Sequence, residues 1–173
     1  MDSSEDDTPL THKPADLALP AFLKIYGGVY EKSPWIAEAV YAQRAELDTV
    51  SKLRDAMREV VDTASSAKRL ALICAHPDLA CGPAIKMTSH SVSEQKGAGL
   101  NSCTPAETAE FNNLNAEYRH KFGFPFIIAV KGLDKHQILA EFKRRMTNPA
   151  SQEFSTALQQ IHKIALFRLK ATI

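Results

Sequence analysis

The sequence predicts an all-α protein, a single compact domain of about eight helices with one buried extended segment near residues 124–130. Three observations predict it. Apolar residues recur at helical spacing, as in Val50, Leu53, Met57, Val60 and Val61, or in Phe111, Leu114, Tyr118 and Phe122. Helix start and stop signals (Ser-Pro, Thr-Pro-x-Glu, Asn-Pro and glycine) punctuate the chain. Only Phe124-Pro125-Phe126-Ile127-Ile128-Ala129-Val130 reads as strand-like, and a lone run has no sheet to join.

Each element follows from local chemistry. Residues 1–14 are polar and are expected to form a disordered tail, with the folded domain spanning 15–173. Pro20 suits the first turn of a short helix through Phe22 and Tyr26, which Gly27-Gly28 would end. Ser33-Pro34 reads as N-cap and first helical residue of a helix through Trp35, Ile36, Val40 and Tyr41. A third helix starts near Val50 and is broken at Ala64-Ser65-Ser66. The run Leu70-Ala71-Leu72-Ile73-Cys74-Ala75 is apolar all round, so as a helix it should be buried, with Cys74 pointing into the core. Pro77 disfavours helical angles before it, so that helix should end at about His76. Residues 77–90, with Pro77, Gly82 and Pro83, read as a loop. Ser91 opens the next helix. Thr104-Pro105-Ala106-Glu107 is a capping box that starts a long helix closed by Gly123. Asp134 caps a helix carrying Ile138, Leu139, Phe142 and Met146, and Asn148-Pro149 starts the last one.

Composition bounds the function. The chain of 173 residues is 45% apolar and 24% charged, with a formal charge of +1 and no Lys/Arg block. That gives no reason to expect a nucleic acid or an anionic membrane as partner. No apolar run reaches membrane-spanning length. Cys74, Cys81 and Cys103 form no CxxC pair and read as reduced thiols of a cytosol-like compartment. The acidic, polar start is unlike a secretory signal peptide, and Ala171-Thr172-Ile173 is unlike a Ser-Lys-Leu peroxisomal address, so a cytoplasmic location is expected.

Several residues could carry chemistry. His76 places an imidazole at a helix C-terminus, where the macrodipole favours its charged form; a structural histidine is the competing reading. Arg168 falls on the apolar stripe Phe154, Leu158, Ile161, Ala165 of the last helix. It either snorkels to water or clamps a carboxylate, and Arg145 rivals it for the second role. Ser91 and Glu94 read locally as a capping box. Functionally, Ser91, Glu94 and Gln95 could hold a small heterocycle rich in N–H and C=O groups. If the 124–130 run lines a pocket, its backbone groups have no sheet partner and could recognise a ligand. Cys74, His76, Asp78, Cys81 and His90 are metal-ligand types, but their spacings match no zinc pattern. Cys81 could be a nucleophile paired with His76, although no oxyanion motif surrounds it. His12, His120, His136 and His162 sit at polar positions and should be solvated.

A set of motifs in order resembles one family: Ser33-Pro34-Trp35; Ala75-His76-Pro77-Asp78-Leu79; Ser91-x-x-Glu94-Gln95-x-x-Ala98-Gly99-Leu100; Phe111-x-x-Leu114-Asn115-x-x-Tyr118; Lys121 through Phe126; and Arg145-Met146-x-Asn148. The chain resembles the 2-oxo-4-hydroxy-4-carboxy-5-ureidoimidazoline (OHCU) decarboxylases from about residue 20 to its end. The resemblance implies an all-α homodimer, free of cofactor and metal, that forms S-allantoin and carbon dioxide in urate catabolism. It implies that His76 is the general acid/base; the chemistry of the substrate then gives Glu94 an expected catalytic role, orienting His76 or accepting the hydroxyl hydrogen. Pro77, Ser91, Val92, Ser93, Glu94, Gln95, Phe126, Ile127, Ile128, Ala129 and Val130 would contact substrate, and Arg168 would bind its carboxylate. Two rival functions belong to other classes. One is a non-catalytic helical module that binds a small molecule; the other is a metal-dependent hydrolase using His76, Asp78 and His90.

Overall fold

The computed structural model describes residues 7–80 and 87–173. Eight α-helices occur among them: α1 (Leu19–Tyr26), α2 (Pro34–Val40), α3 (Val50–Asp62), α4 (Ser66–Cys74), α5 (Ser89–Gly97), α6 (Pro105–Phe122), α7 (Lys135–Arg145) and α8 (Ala150–Lys170). Two 3₁₀ turns, Pro14–Asp16 and Tyr41–Glu46, complete the regular structure, and no strand is formed among the described residues. The all-α expectation holds. The described residues group into two compact units, one of residues 1–75 and 162–173, the other of residues 76–161.

In the first unit, α2 packs on α1 and α3. Thr49 caps α3 by accepting from the Lys52 N–H, and Val50, Leu53, Met57 and Val61 point inward at i, i+3, i+7 and i+11. With Phe22, Tyr26, Ile36 and Val40 they form a closed core. Each such side chain contributes roughly 1.5–3 kcal/mol on burial. Ser33 precedes Pro34 as expected, but its hydroxyl donates to the Glu31 carbonyl instead of capping α2.

Three expectations need correction, two in this unit and one, at Cys103, in the other. Leu10 is buried, and the chain at residues 8–10 pairs with residues 48–50, so order begins before the expected end of the tail at 14. One apolar side chain in a polar stretch was enough to dock it. Second, α4 buries only Leu72 and Ile73, whereas Leu70 and Cys74 are exposed. A nine-residue helix lying on a surface hides one stripe, however apolar the rest. Third, Cys103 is disulfide-bonded where a reduced thiol was expected; Cys74 is free.

In the second unit, Thr104 and Glu107 form the expected capping box of α6, and Gly123 ends that helix in the left-handed conformation at φ 79°. Asp134 and Gln137 make a second capping box on α7. Phe111, Asn115 and Tyr118 face inward from α6, and Ile138, Phe142 and Arg145 from α7. Residues 124–130 are buried without helix or strand, as the sequence predicts. Their aromatic side chains explain the burial. Phe126 stacks on Phe142 with centroids 3.9 Å apart, and Tyr118 packs edge-on against Phe124 and Phe126.

Candidate active site

His76 lies two residues beyond the last residue of α4 and is 6% exposed. Burial of an imidazole demands hydrogen-bonding neighbours and a fixed backbone. Side chains fix the backbone that follows it. Gln95 of α5 donates its amide to the Asp78 carbonyl at 3.3 Å and accepts the Ala80 N–H at 3.0 Å. Asn115 of α6 donates to the Leu79 carbonyl at 2.8 Å. Arg119 of α6 holds the Asp78 carboxylate at 2.9 and 3.2 Å, in a half-exposed pair of small worth. His76-Pro77 therefore leads into a stretch whose backbone polar groups are tied to two helices without any backbone ladder.

The α5 turn is built differently from its local reading. Thr88, not Ser91, is the N-cap, accepting from the Ser91 N–H at 3.3 Å. The capping box expected for Ser91 and Glu94 is therefore overturned: both lie inside the helix, and Thr88 provides a cap three residues earlier. Ser91 and Gln95, one turn apart, are buried on one side, with Glu94 half-buried beside them. Val92 and Ser93 are exposed.

The buried segment is fixed by a charge cluster. Arg145 donates to Glu153 at 2.7 Å through Nε and to the Ile127 carbonyl at 2.6 Å through Nη1, and its guanidinium lies 4.3 Å from the Phe126 ring centroid. Tyr118 and Asn148 also donate to Glu153. Burial, with the Glu153 carboxylate adjacent, raises the Tyr118 pKa far above its usual value. Gln160 accepts the Ala129 N–H at 2.9 Å. The expectation that all backbone groups of this run are available is therefore corrected: Ile127 C=O and Ala129 N–H are taken by side chains. Arg145 is engaged by Glu153 and the Ile127 carbonyl through Nε and Nη1.

Arg168 belongs to the first unit and is 5% exposed, so it does not snorkel to water. It pairs with buried Glu31 at 2.9 Å and donates to the Gly28 carbonyl at 3.3 Å. His162, expected to be solvated, is also buried: Tyr30 meets its Nδ1 at 2.8 Å and Asp62 its Nε2 at 3.1 Å. Burial lowers its pKa, opposed by the hydrogen bond to Asp62. His12, His120 and His136 are exposed as expected.

The second unit thus ties Gln95 to the backbone of Asp78 and Ala80, just after His76-Pro77, through direct hydrogen bonds, and holds Phe126–Val130 through Arg145 and Gln160. His90 is exposed, Cys81 lies outside the described residues, and no group of three or more His, Cys, Asp or Glu gathers as a metal set among the described residues. Sequence reasoning missed Glu31, Asn115, Arg119, Glu153 and Gln160. A signal existed for two of them. Asn115 interrupts the Phe111/Tyr118 stripe with an amide, and Glu153 begins the stripe Ala157, Ile161, Ile164 with a carboxylate.

Comparison with known proteins supplies the family. The family model described as OHCU decarboxylase matches residues 16–170. The 2-oxo-4-hydroxy-4-carboxy-5-ureidoimidazoline decarboxylase of Haloferax volcanii is 42% identical, covering 86% of this chain and 87% of the relative. That of Halalkalicoccus jeotgali is 41% identical over 86% of this chain and 83% of its own. A crystal structure of (S)-allantoin synthase superposes with a TM-score of 0.75 at 37% identity, covering 92% of this chain; the chain spans 52% of that protein. A crystal structure of OHCU decarboxylase in the presence of (S)-allantoin, at 22% identity and a TM-score of 0.65, shares the fold. With its match running almost from end to end, this chain belongs to the OHCU decarboxylase family.

Proposed function

We propose that this chain decarboxylates 2-oxo-4-hydroxy-4-carboxy-5-ureidoimidazoline to S-allantoin in urate catabolism, without a cofactor, using His76 as general acid/base. The observation that carries the reading is a buried histidine, in a chain of this family, whose following backbone is pinned by Gln95 and Asn115. The substrate needs little from the protein beyond placement. Its C4 carries a hydroxyl and the carboxylate, next to the C5=N bond. When carbon dioxide leaves, the C4–carboxylate electron pair forms C4=C5, and the former C5=N pair takes a proton on nitrogen. The C4 hydroxyl then loses its proton as C4=O forms, and C5 gains one. No electrons enter or leave overall, so the electron sink is the substrate's own.

What remains for the protein is positioning, charge stabilisation and proton delivery. His76 delivers or relays the proton, a role typically worth ~10²–10⁴-fold. Glu94 orients His76 or accepts the hydroxyl hydrogen. Pro77, Ser91 and Gln95 face the ring, with Val92 and Ser93 at the margin of the contact. Phe126 through Val130 offer backbone donors and acceptors to the ureido and ring amides. Arg168, paired with Glu31, orients the carboxylate; for the step to be accelerated it must not hold the carboxylate more tightly in the ground state than in the transition state. The protein acts as a homodimer in the cytoplasm. The test is His76→Asn, assayed on freshly generated substrate for carbon dioxide release and product chirality. A fall of at least ~100-fold with loss of the enantiomeric excess is expected. Full rate with one enantiomer would remove His76 from the role. A wild-type chain that does not exceed the spontaneous rate would be a non-catalytic binding module.

A further inference from the structure

Two side chains hold adjacent peptides of the buried segment by opposite ends. Arg145 binds the C=O of the 127–128 peptide, and Gln160 binds the N–H of the 128–129 peptide. Both peptides are trans. A trans peptide is planar, with its C=O and N–H pointing in opposite directions. Fixing Ile127 C=O therefore aims the Ile128 N–H away from Arg145. Fixing the Ala129 N–H aims Ile128 C=O away from Gln160. Ile128 is only 7% exposed, and among the described residues neither its N–H nor its C=O has a partner. Buried backbone groups are rarely left so, because an unpaired one gives up its hydration with nothing in return.

We propose that Arg145 and Gln160 are positioning residues that aim the N–H and C=O of Ile128, as one donor–acceptor pair, at a urea or lactam group of the substrate. The inference rests on the reading that residues 126–130 contact substrate. A donor beside an acceptor complements a group that itself carries N–H next to C=O, and two such hydrogen bonds fix its orientation as well as its identity. Arg145 is held by Glu153, itself fixed by donors from Tyr118 and Asn148, before any ligand arrives, so the 127–128 peptide is set in advance. Gln160 is half-buried and holds the segment through its hydrogen bond to Ala129, so it can be altered without opening the charge cluster.

The test uses Gln160→Met, which keeps the length and loses the acceptor, and Gln160→Glu, which keeps an acceptor. The readouts are KM and kcat, allantoin affinity by calorimetry, thermal stability, and the ¹⁵N–¹H resonance of Ile128 during an allantoin titration. Gln160→Met should raise KM and weaken allantoin about fivefold to tenfold with nearly unchanged kcat and melting temperature, as expected for a mis-aimed hydrogen-bonding pair. Gln160→Glu should restore most of the loss. If the wild type is active and allantoin shifts the Ile128 amide, yet Gln160→Met keeps wild-type KM and affinity, the positioning role is wrong. If the wild type is active but the Ile128 amide ignores allantoin, the contact reading fails and the inference with it. A wild type without activity that still shifts Ile128 on binding allantoin overturns the catalytic reading and leaves the aiming role supported.

Discussion

Two buried arginines each pair with a glutamate and a backbone carbonyl, but their surroundings differ. Arg145 sits in a closed local cluster: Glu153, eight residues on, also receives Tyr118 and Asn148, and the bound carbonyl is that of Ile127. Arg168 takes Glu31 and Gly28 from the loop between α1 and α2, the latter 140 residues away in sequence. That loop contains Lys32 at φ 46°, a left-handed position unusual for lysine. Beside this pair, Tyr30 of the same loop meets His162. The difference teaches that a buried Arg–Glu pair is not one kind of object. Around Arg145 one carboxylate gathers donors from three side chains, which suits a scaffold. Around Arg168 the partner rides on a connecting loop that is itself anchored by a titratable group, which suits an arginine whose position matters more than its contribution to stability.

The strongest way to break the comparison is to remove each arginine. Arg145→Met strands the Glu153 carboxylate in the core, and breaking a buried pair from one side costs about 3–5 kcal/mol. Urea unfolding should show that loss, and Glu153→Met added to it should recover most of it, because both charges are then gone. An Arg145→Met protein with the wild-type midpoint would end the scaffold reading. Arg168→Lys keeps the charge and loses the planar fork, so its stability cost should be near 1 kcal/mol while kcat/KM falls at least about tenfold. If instead stability falls as far as in Arg145→Met and activity tracks only the folded fraction, the two arginines are equivalent and Arg168 is structural.

The same contrast marks what the sequence could show. The helices were legible because they advertise themselves locally: Thr104/Glu107 and Asp134 cap where residue type and spacing say they should, and Val50, Leu53, Met57 and Val61 repeat at the helical period. The lone run at 124–130 was legible because a strand without a partner has to be buried some other way. Motif resemblance singled out His76, Glu94 and Gln95, of which the structure buries the first and the last and half-buries Glu94. What stayed hidden depends on which side chain meets which across long stretches of chain. Nothing local says that Gln160 caps Ala129 or that Glu31 lies against Arg168. Ser91-x-x-Glu94 reads as a cap until Thr88 is seen to hold that place. His162 reads as solvated because its sequence neighbours Gln159 and Lys163 are polar, while the helix turns its own face onto Tyr30.

His162 gives the smallest effect and the sharpest discrimination between the two regions. Its pKa lies below the ordinary 6.5 because burial disfavours the imidazolium more than Asp62 favours it. In the unfolded chain it titrates near 6.5. As pH falls below that value the unfolded state takes up a proton that the folded state refuses, so the folded state's advantage is complete above about 6.5 and declines below it. The carboxylates held low by lysine or arginine partners (Glu107 by Lys135, Glu141 by Arg144, Asp48 by Lys52) contribute only at lower pH, below ordinary values of 4.5 and 3.8. Between pH 6.5 and 5 the melting temperature should therefore decline in the wild type. The decline should shrink in His162→Gln, whose amide can still meet Tyr30 but does not ionise. Tyr118 next to Glu153 stays protonated throughout, so the Arg145 cluster should not respond. Protonating His162 should instead loosen Tyr30, and with it the adjacent Glu31 that holds Arg168. In that window KM should rise in the wild type and rise less in His162→Gln. Identical pH profiles of melting temperature and KM for the two proteins would mean that the loop does not depend on His162, and that the anchoring of Arg168 is as closed as that of Arg145.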